Sequence, residues 1–347
     1  MPLRKLFGLL PLVLASVLGA APPKVSICVP VYNEEPYVAA ALDSALNQTL
    51  EDIEVVCVDD GSTDGSLAIL KKYAAKDPRI RILENGKNRG LLYARMRSIL
   101  ASTGEYVLCL DSDDELFLDI ARLAYEKAKE TGAEVVFFES ERVLPDGRLE
   151  PPAPWMPRME NFSGRRPGSE LLDGLVEQRM TWNLCFKLWD GNLIRSAYRE
   201  LRPLAESHHI VTAEDLLVFW QAARWADGYA ILPAVGYRYR LGRGLVARDS
   251  SLDSQKKYLT DISTVIGEIF AGESTAAGRR RAALVLRMGE GNVFRRVSAL
   301  PARDGRQAFR DYLAAFPPDI ARDVERVMER YDPRWYGSWR AAKILGK

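Results

Sequence analysis

Across 347 residues the chain carries 48 Lys and Arg against 47 Asp and Glu, a formal net charge of +1, which excludes nucleic-acid binding through a bulk basic field. Hydrophobic residues at 47% supply a sizeable core, and charged residues at 27% are ordinary for a soluble protein. The length exceeds that of a usual single domain and predicts one large domain with an appendage.

The first residues pair a basic Arg4-Lys5 with an uncharged stretch from Leu6 to Ala21, closed by small residues and Pro22-Pro23. That is the layout of a signal peptide, and it is short for a membrane span. A cleaved signal, an anchor and an over-extended start all remain open for residues 1–23. Residues 24–31 then read as a first strand. Asn33-Glu34-Glu35-Pro36 opens an amphipathic helix with Val38, Ala41, Leu42, Ala45 and Leu46 on one stripe. A second strand over 53–58 stops at Asp59-Asp60-Gly61-Ser62-Thr63-Asp64-Gly65, a helix follows over 66–75, and a third strand covers 80–83. Asn88-Arg89-Gly90 leads into a helix to about residue 101, and the apolar run Tyr106-Val107-Leu108-Cys109-Leu110 is the next strand. Beyond Asp119 come a helix and a strand over 133–138. This alternation predicts a mostly parallel sheet with right-handed crossovers. Residues 144–168, rich in Pro and Gly, read as a long loop. After about Ser251 only helical patterns remain, broken near Pro301, Pro317-Pro318 and Pro333.

Of the four cysteines, Cys28, Cys57 and Cys109 lie inside apolar runs and Cys185 in an aromatic stretch, without metal-site spacing. They read as small reduced hydrophobes, not as a disulfide framework. The two histidines, His208 and His209, are adjacent and read as loop residues.

Chemistry concentrates at Asp111-Ser112-Asp113-Asp114, three carboxylates at the C-terminal end of a buried strand. Open α/β sheets place ligands at that edge. Acids packed so closely repel unless a cation separates them, and Mg²⁺ or Mn²⁺ takes oxygen ligands while bridging to a diphosphate. An acidic turn capping the next helix is the plain alternative. Three polar strand ends, at Tyr32-Asn33-Glu34, Asp59-Asp60-Gly61-Ser62 and Asp111-Ser112-Asp113, should converge on one edge, which packing alone explains poorly.

Five stretches carry a family resemblance: Val25-Ser26-Ile27-Cys28-Val29-Pro30-Val31-Tyr32-Asn33-Glu34-Glu35, Ala41-Leu42-Asp43-Ser44-Ala45-Leu46-Asn47-Gln48-Thr49, Val55-Val56-Cys57-Val58-Asp59-Asp60-Gly61-Ser62-Thr63-Asp64-Gly65-Ser66, Asn88-Arg89-Gly90 and Asp111-Ser112-Asp113-Asp114. In this order and at this spacing they resemble the family 2 glycosyltransferases, inverting enzymes of the GT-A fold. The resemblance implies an α/β class with a nucleotide-diphospho-sugar transferase, Rossmann-like, mostly parallel sheet and a C-terminal helical appendage. It implies a catalytic domain over 24–245, with a donor half at 24–120 and an acceptor half at 121–245, then a helical region over 246–347. It also implies roles. Tyr32 lies against the nucleotide base, Pro30 and Glu34 line the nucleotide-sugar site, and Asp60 accepts a hydrogen bond from the base. Asp111 and Asp113, joined by Asp114, hold the metal near the donor ribose and diphosphate, and Arg95 is a basic position of the same site.

In the acceptor half, Glu214-Asp215 precedes an apolar periodic run, which by itself is a helix start favoured by the dipole. The resemblance places the general base in this pair, with Asp215 preferred over Glu214. Lys187, in Trp182-Asn183-Leu184-Cys185-Phe186-Lys187-Leu188-Trp189, is implied to offset phosphate charge, and Arg240 or Arg243 to reach the diphosphate. Gln221-Ala222-Ala223-Arg224-Trp225 matches a processive-synthase signature but follows Asp215 too closely, so it is read as coincidence. The function so implied is inverting, metal-dependent transfer of one sugar, most often from a UDP-sugar, to a surface glycan, lipid-linked saccharide or protein. The alternatives are a degenerate glycan-binding or scaffolding protein and a nucleotidyltransferase; the latter is disfavoured because the loop after the first strand lacks glycine and base. Trp335 and Trp339 among basic residues suit a membrane or partner surface, or else packing on their own domain. A cytoplasmic catalytic domain, tethered to the inner face or free, is expected, with a secretory-pathway enzyme as the alternative.

Overall fold

The computed structural model describes residues 21–150, 164–177, 179–242, 251–287 and 290–344. The signal-like segment to residue 20, most of the expected 144–168 loop and Arg243 lie outside the described residues. The chain divides into two compact units, Met1–Ile210 with Val218–Arg243, and Val211–Leu217 with Gly244–Lys347.

In the first unit, β1 (Val25–Val31) is buried along its whole length, because β2 (Ile53–Asp59) pairs on one side and β4 (Tyr106–Cys109) on the other, all parallel. A strand covered on both edges and faces needs an unbroken apolar run, which is what the sequence provides. β3 (Ile80–Glu84) extends the sheet beyond β2. The chain therefore steps outward from β1 to β2 to β3, then crosses back through α3 (Leu91–Ala101) to β4 on the far side of β1. With right-handed crossovers, this reversal puts α1 (Val38–Leu46) and α2 (Ser66–Ala74) on one face and α3 on the other. It also opens a crevice where β1 and β4 diverge. Cys28 carbonyl still accepts Leu110 N–H at 3.0 Å, but the paired register ends at Cys28 and Cys109. Pro30 sits one step past that end on the β4-facing side, so its missing N–H leaves no ladder bond unmade.

The first helix begins at Val38, later than the Asn33 start expected from the sequence, and the reason is local. Asn33 has a left-handed φ of 55°, and the N–H groups of Asn33, Glu34 and Glu35 donate to Ser62 Oγ, Ser66 Oγ and Asp64 Oδ2 at 3.1, 2.8 and 3.0 Å. Loop-to-loop bonding has replaced the first helical turn.

Beyond β4 the sheet is mixed. β5 (Glu115–Leu116) pairs antiparallel with β10 (Gly228–Arg240), and β6 (Val135–Val143) pairs parallel with it. Two short strands, β7 (Leu149–Glu150) and β8 (Arg166–Pro167), pair with β6 and β10. The four-residue β9 (Lys187–Asp190) inserts antiparallel between β4 and β6. The mostly parallel expectation thus describes the donor half, while four residues are too few for periodicity to announce β9. α4 (Ile120–Thr131) packs on β6 and β10, and α5 (Glu170–Val176) beside β8. α6 (Gly191–Ser207), capped by Asp190 Oδ1 on Leu193 N–H at 2.9 Å, packs on α3. All four cysteines are free and buried.

α7 (Glu214–Ala223) carries the acidic pair at its first turn. The helices α8 (Leu252–Ala271), α9 (Ala276–Arg287), α10 (Glu290–Ala299), α11 (Ala302–Ala314), α12 (Pro318–Tyr331) and α13 (Pro333–Ile344) make up the rest of the second unit. Its core is aromatic: the Phe309 ring meets Trp335 at 5.3 Å, Trp339 at 5.1 Å and Phe294 at 6.1 Å. Trp339 is 1% exposed. Of the two readings of these tryptophans, the rings follow the second, packing within their own unit, with Trp335 half-buried. No helix among the described residues is long and apolar enough to cross a membrane.

Gly104, where the chain enters β4, sets a packing limit. A Cβ there would lie 2.4 Å from Ser26 Oγ and 2.6 Å from Ser26 N. Gly104→Ala is expected to destabilise the protein by about 1–3 kcal/mol, read as a lower urea midpoint at unchanged m-value.

Candidate functional site

The ends of β1, β2 and β4 meet at the crevice, and the loops leaving them are bound to one another. Asn33 Oδ1 accepts Thr63 N–H at 2.8 Å, and Glu35 Oε2 accepts Gly65 N–H at 2.8 Å. A Cβ on Gly65 would lie 2.5 Å from the Glu35 carboxylate, which would have to shift from its present bond. Glu34 is 9% exposed and Pro30 is buried in β1, so both shape the loop floor, whereas Tyr32 stays half-buried at the crevice.

Asp60, at the end of β2, is 3% exposed and organises a second turn. Its Oδ1 accepts Asn85 Nδ2 at 2.6 Å and Arg89 N–H at 2.9 Å, and its Oδ2 accepts Gly90 N–H at 2.9 Å. Burial raises its pKa, and these three donors together with the nearby His209 pull it back. His209, in a loop as expected, reaches the same turn through Asn88 Oδ1 at 2.7 Å.

The acidic loop after β4 is held from three directions. Arg95, 4% exposed on α3, pairs with Asp111 Oδ1 at 2.5 Å. Cys185 Sγ donates to Asp111 Oδ2 at 3.4 Å, and Asp111 N–H donates to the Tyr237 hydroxyl at 3.1 Å. That hydroxyl donates onward to Asp114 Oδ2 at 2.9 Å, and Asp114 Oδ1 accepts Arg240 N–H at 2.7 Å. Asp114 is 1% exposed with both oxygens engaged, so it ties the loop to β10. Asp114, expected with Asp111 and Asp113 at the metal, has both oxygens occupied within the protein. Burial raises its pKa well above the usual carboxylate range, with Asp113 and Asp111 adding to the shift. Asp113 is half-buried. Burial also pushes the Cys109 thiol up to about 12 and the Cys185 thiol well above its ordinary value, so neither is a ready thiolate.

Lys187, at the start of β9, stands opposite Phe137 of β6 and is 0% exposed. Its ammonium donates to the Asn183 carbonyl and lies 4.8 Å from the Phe137 ring centre and 5.4 Å from that of Phe219. It is a buried cation behind the acidic loop, not a surface lysine. Arg240, expected to reach a diphosphate, pairs its guanidinium with Glu115. Glu214 is 4% exposed and Asp215 half-buried, and both belong to the second unit. Gln221 and Arg224 bond to each other at 3.3 Å at the end of α7. Sequence reasoning missed Tyr237, Cys185 and Asn85, because each supports an acidic residue from a distant part of the chain.

Among the described residues no three His, Cys, Asp or Glu side chains form a group that could hold a metal unaided. Asp111, whose oxygens are taken here by Arg95 and Cys185, and the half-buried Asp113 are oxygen donors of the kind a hard cation such as Mg²⁺ or Mn²⁺ takes together with waters and phosphate oxygens.

A family model described as glycosyl transferase family 2 matches residues 26–183. The chain is 30% identical over 223 residues to a poly(ribitol-phosphate) beta-glucosyltransferase of Bacillus spizizenii, covering 63% of this chain and 32% of that one. It thus spans about a third of that relative's length. The structure of S. aureus TarS 1-349 in complex with UDP-GlcNAc superposes with a TM-score of 0.67 at 21% identity, over 93% of this chain and 92% of that one. A mannosyltransferase of Pyrobaculum calidifontis in complex with GDP-Man and Mn²⁺ superposes at 0.51 and 17% identity, over 97% and 95% of the two chains. With the reversal of the sheet at β1 and β4 and the acidic loop that ends β4, residues 26–183 match glycosyl transferase family 2, and the chain has the GT-A fold.

Proposed function

We propose that this chain transfers a single sugar, with inversion, from a UDP-sugar to an acceptor hydroxyl. The observation that carries the reading is the acidic loop at the crevice, where Asp111 is fixed by buried Arg95 while Asp113 stays half-buried beside it. Asp111 and Asp113 would hold a divalent cation, Mn²⁺ or Mg²⁺, whose charge neutralises the departing diphosphate. Tyr32 offers a ring for the base to stack on, and Asp60 with its turn sets the edge that the base meets. Lys187 adds positive charge behind the loop. Asp215, ahead of Glu214, takes the proton from the acceptor hydroxyl. The oxygen then bonds to the anomeric carbon as the bond to the diphosphate breaks on the opposite face. UDP is favoured because the S. aureus neighbour carries UDP-GlcNAc. The named activity of the B. spizizenii relative favours a surface polymer over a lipid-linked saccharide or protein as acceptor. We place this chemistry on the cytoplasmic side.

Thermal shift with UDP, GDP, CDP and dTDP, each with Mn²⁺, Mg²⁺ or chelator, tests the donor site. UDP with metal is expected to raise Tm in wild type and Asp215→Asn but not in Asp113→Ala. If no nucleotide stabilises the folded protein under any metal condition, the donor site is lost and a glycan-binding role takes its place. Asp215→Asn is expected to lower kcat by about a hundredfold or more with little change in donor KM. Arg95→Met, which leaves Asp111 without its cation, is expected to lower stability by about 2–4 kcal/mol in urea melts and to weaken the UDP–Mn²⁺ shift.

A further inference from the structure

The segment bearing Glu214 and Asp215 packs with the C-terminal helices, as Val211–Leu217 groups with Gly244–Lys347. One side chain there holds it. Asp261 lies midway along α8, whose other buried residues are Leu259, Val265, Ile266, Ile269 and Phe270. It is 2% exposed. A carboxylate in such surroundings is unfavourable unless its oxygens are taken. Its Oδ2 accepts Val211 N–H at 3.0 Å, and its Oδ1 is ion-paired with Lys257 one turn earlier on the same helix. An acid and a lysine four residues apart can pair equally well in solvent, so the pair alone does not explain the burial. The backbone donor at Val211 does.

Two residues further on, Ala213 has a φ of 60°, a left-handed conformation that its Cβ disfavours. Strain of this kind persists only where the surroundings over-determine it. The Val211 bond is one fixed point. The Ala213 carbonyl, accepting Leu217 N–H at 3.2 Å in the first turn of α7, is the other. Between them the backbone that carries the acidic pair is held, and the Asp215 carboxylate itself accepts Leu216 N–H at 2.8 Å.

We propose that Asp261 is a positioning residue for Asp215: by holding Val211 N–H it fixes the strained turn that aims the carboxylate, so the C-terminal helices carry part of the catalytic machinery. This rests on the assignment of Asp215 as base. The test uses the full chain as Asp261→Leu, Asp261→Asn and, for reference, Asp215→Asn. UDP release from UDP-GlcNAc and UDP-glucose is followed with water as acceptor, beside UDP–Mn²⁺ affinity and amide hydrogen exchange over 211–217. Leucine fills the space without an acceptor, whereas asparagine keeps an oxygen for Val211. The expected result is a kcat lower by about tenfold or more in Asp261→Leu, with UDP–Mn²⁺ affinity unchanged and faster exchange over 211–217. Asp261→Asn should stay within about threefold of wild type, a rescue that loss of general packing would not give. If Asp261→Leu does not fold, Asp261→Ser, too short to reach Val211, is held to the same outcomes. Wild-type kcat in a folded Leu or Ser variant, or an Asn variant as impaired as they are, overturns the proposal. Asp215→Asn turning over at the wild-type rate sinks the base assignment and this inference with it, while the exchange data still report whether the bond exists.

Discussion

Three carboxylates within four residues at the end of a buried strand are an electrostatic load that the rest of the first unit is arranged to carry. Two like charges about 4 Å apart repel by about 4 kcal/mol at an effective dielectric of 20, and burial adds a desolvation cost. The answer comes from three elements that are remote in sequence. α3 supplies Arg95 to Asp111, β10 supplies the Tyr237 hydroxyl and the Arg240 N–H to Asp114, and the chain entering β9 supplies the Cys185 thiol. Each acid is treated differently. Asp111 is neutralised, Asp114 is buried and held towards its protonated form, and Asp113 is left half-buried beside the crevice.

This division of labour accounts for features of the sheet that parallel crossovers alone do not require. β9 runs antiparallel between β4 and β6, and that insertion brings Cys185 and the buried Lys187 beside the acidic loop. Pro233 and Gly236 fall where the β6–β10 register shifts, between Ile231 and Tyr237. A proline without its N–H and a glycine without a side chain suit such an irregularity. The strand resumes with Tyr237 opposite Leu116, and its hydroxyl reaches both Asp111 and Asp114. A second cation would have balanced Asp114 equally well in charge. A tyrosine and a backbone N–H instead hold it in place without a salt bridge.

What could be read from the sequence follows the range of the interactions involved. β1, β2 and β4 are legible because covered strands need continuous apolar runs, and the helices from Ser251 onward because their stripes and proline breaks are local. The four cysteines, read as reduced hydrophobes, are all free and buried. Asp60, Asp111 and Asp113 are legible as a set because strand ends of one sheet must share an edge. The late start of α1 is not, since Asn33, Glu34 and Glu35 give their N–H groups to side chains about thirty positions away. Asp114 looks identical to Asp113 in the sequence, and only the arrival of β10 separates their environments. Trp335 and Trp339 beside arginines fit an interface as well as a core, and the deciding partner, Phe309, lies on another helix.

The same reasoning bears on why an all-helical region follows a GT-A sheet. A region that only enlarged the fold would bury apolar groups, and the Phe309 cluster does that. Asp261 does something packing does not require, since a leucine at that position of α8 would fill the space without an ion pair. Buried polar groups fix geometry more than they add stability, because a misplaced partner is heavily penalised while a well-placed one gains little. The bond from Asp261 falls on the seven-residue stretch, Val211–Leu217, that interrupts the first unit in sequence and carries the acidic pair. Strand ends of a covered sheet are rigid by construction, but an acidic pair on the first turn of a helix inherits the freedom of the loop before it. The bond to Val211 limits that freedom at the residue where the chain enters the segment, four positions before Asp215.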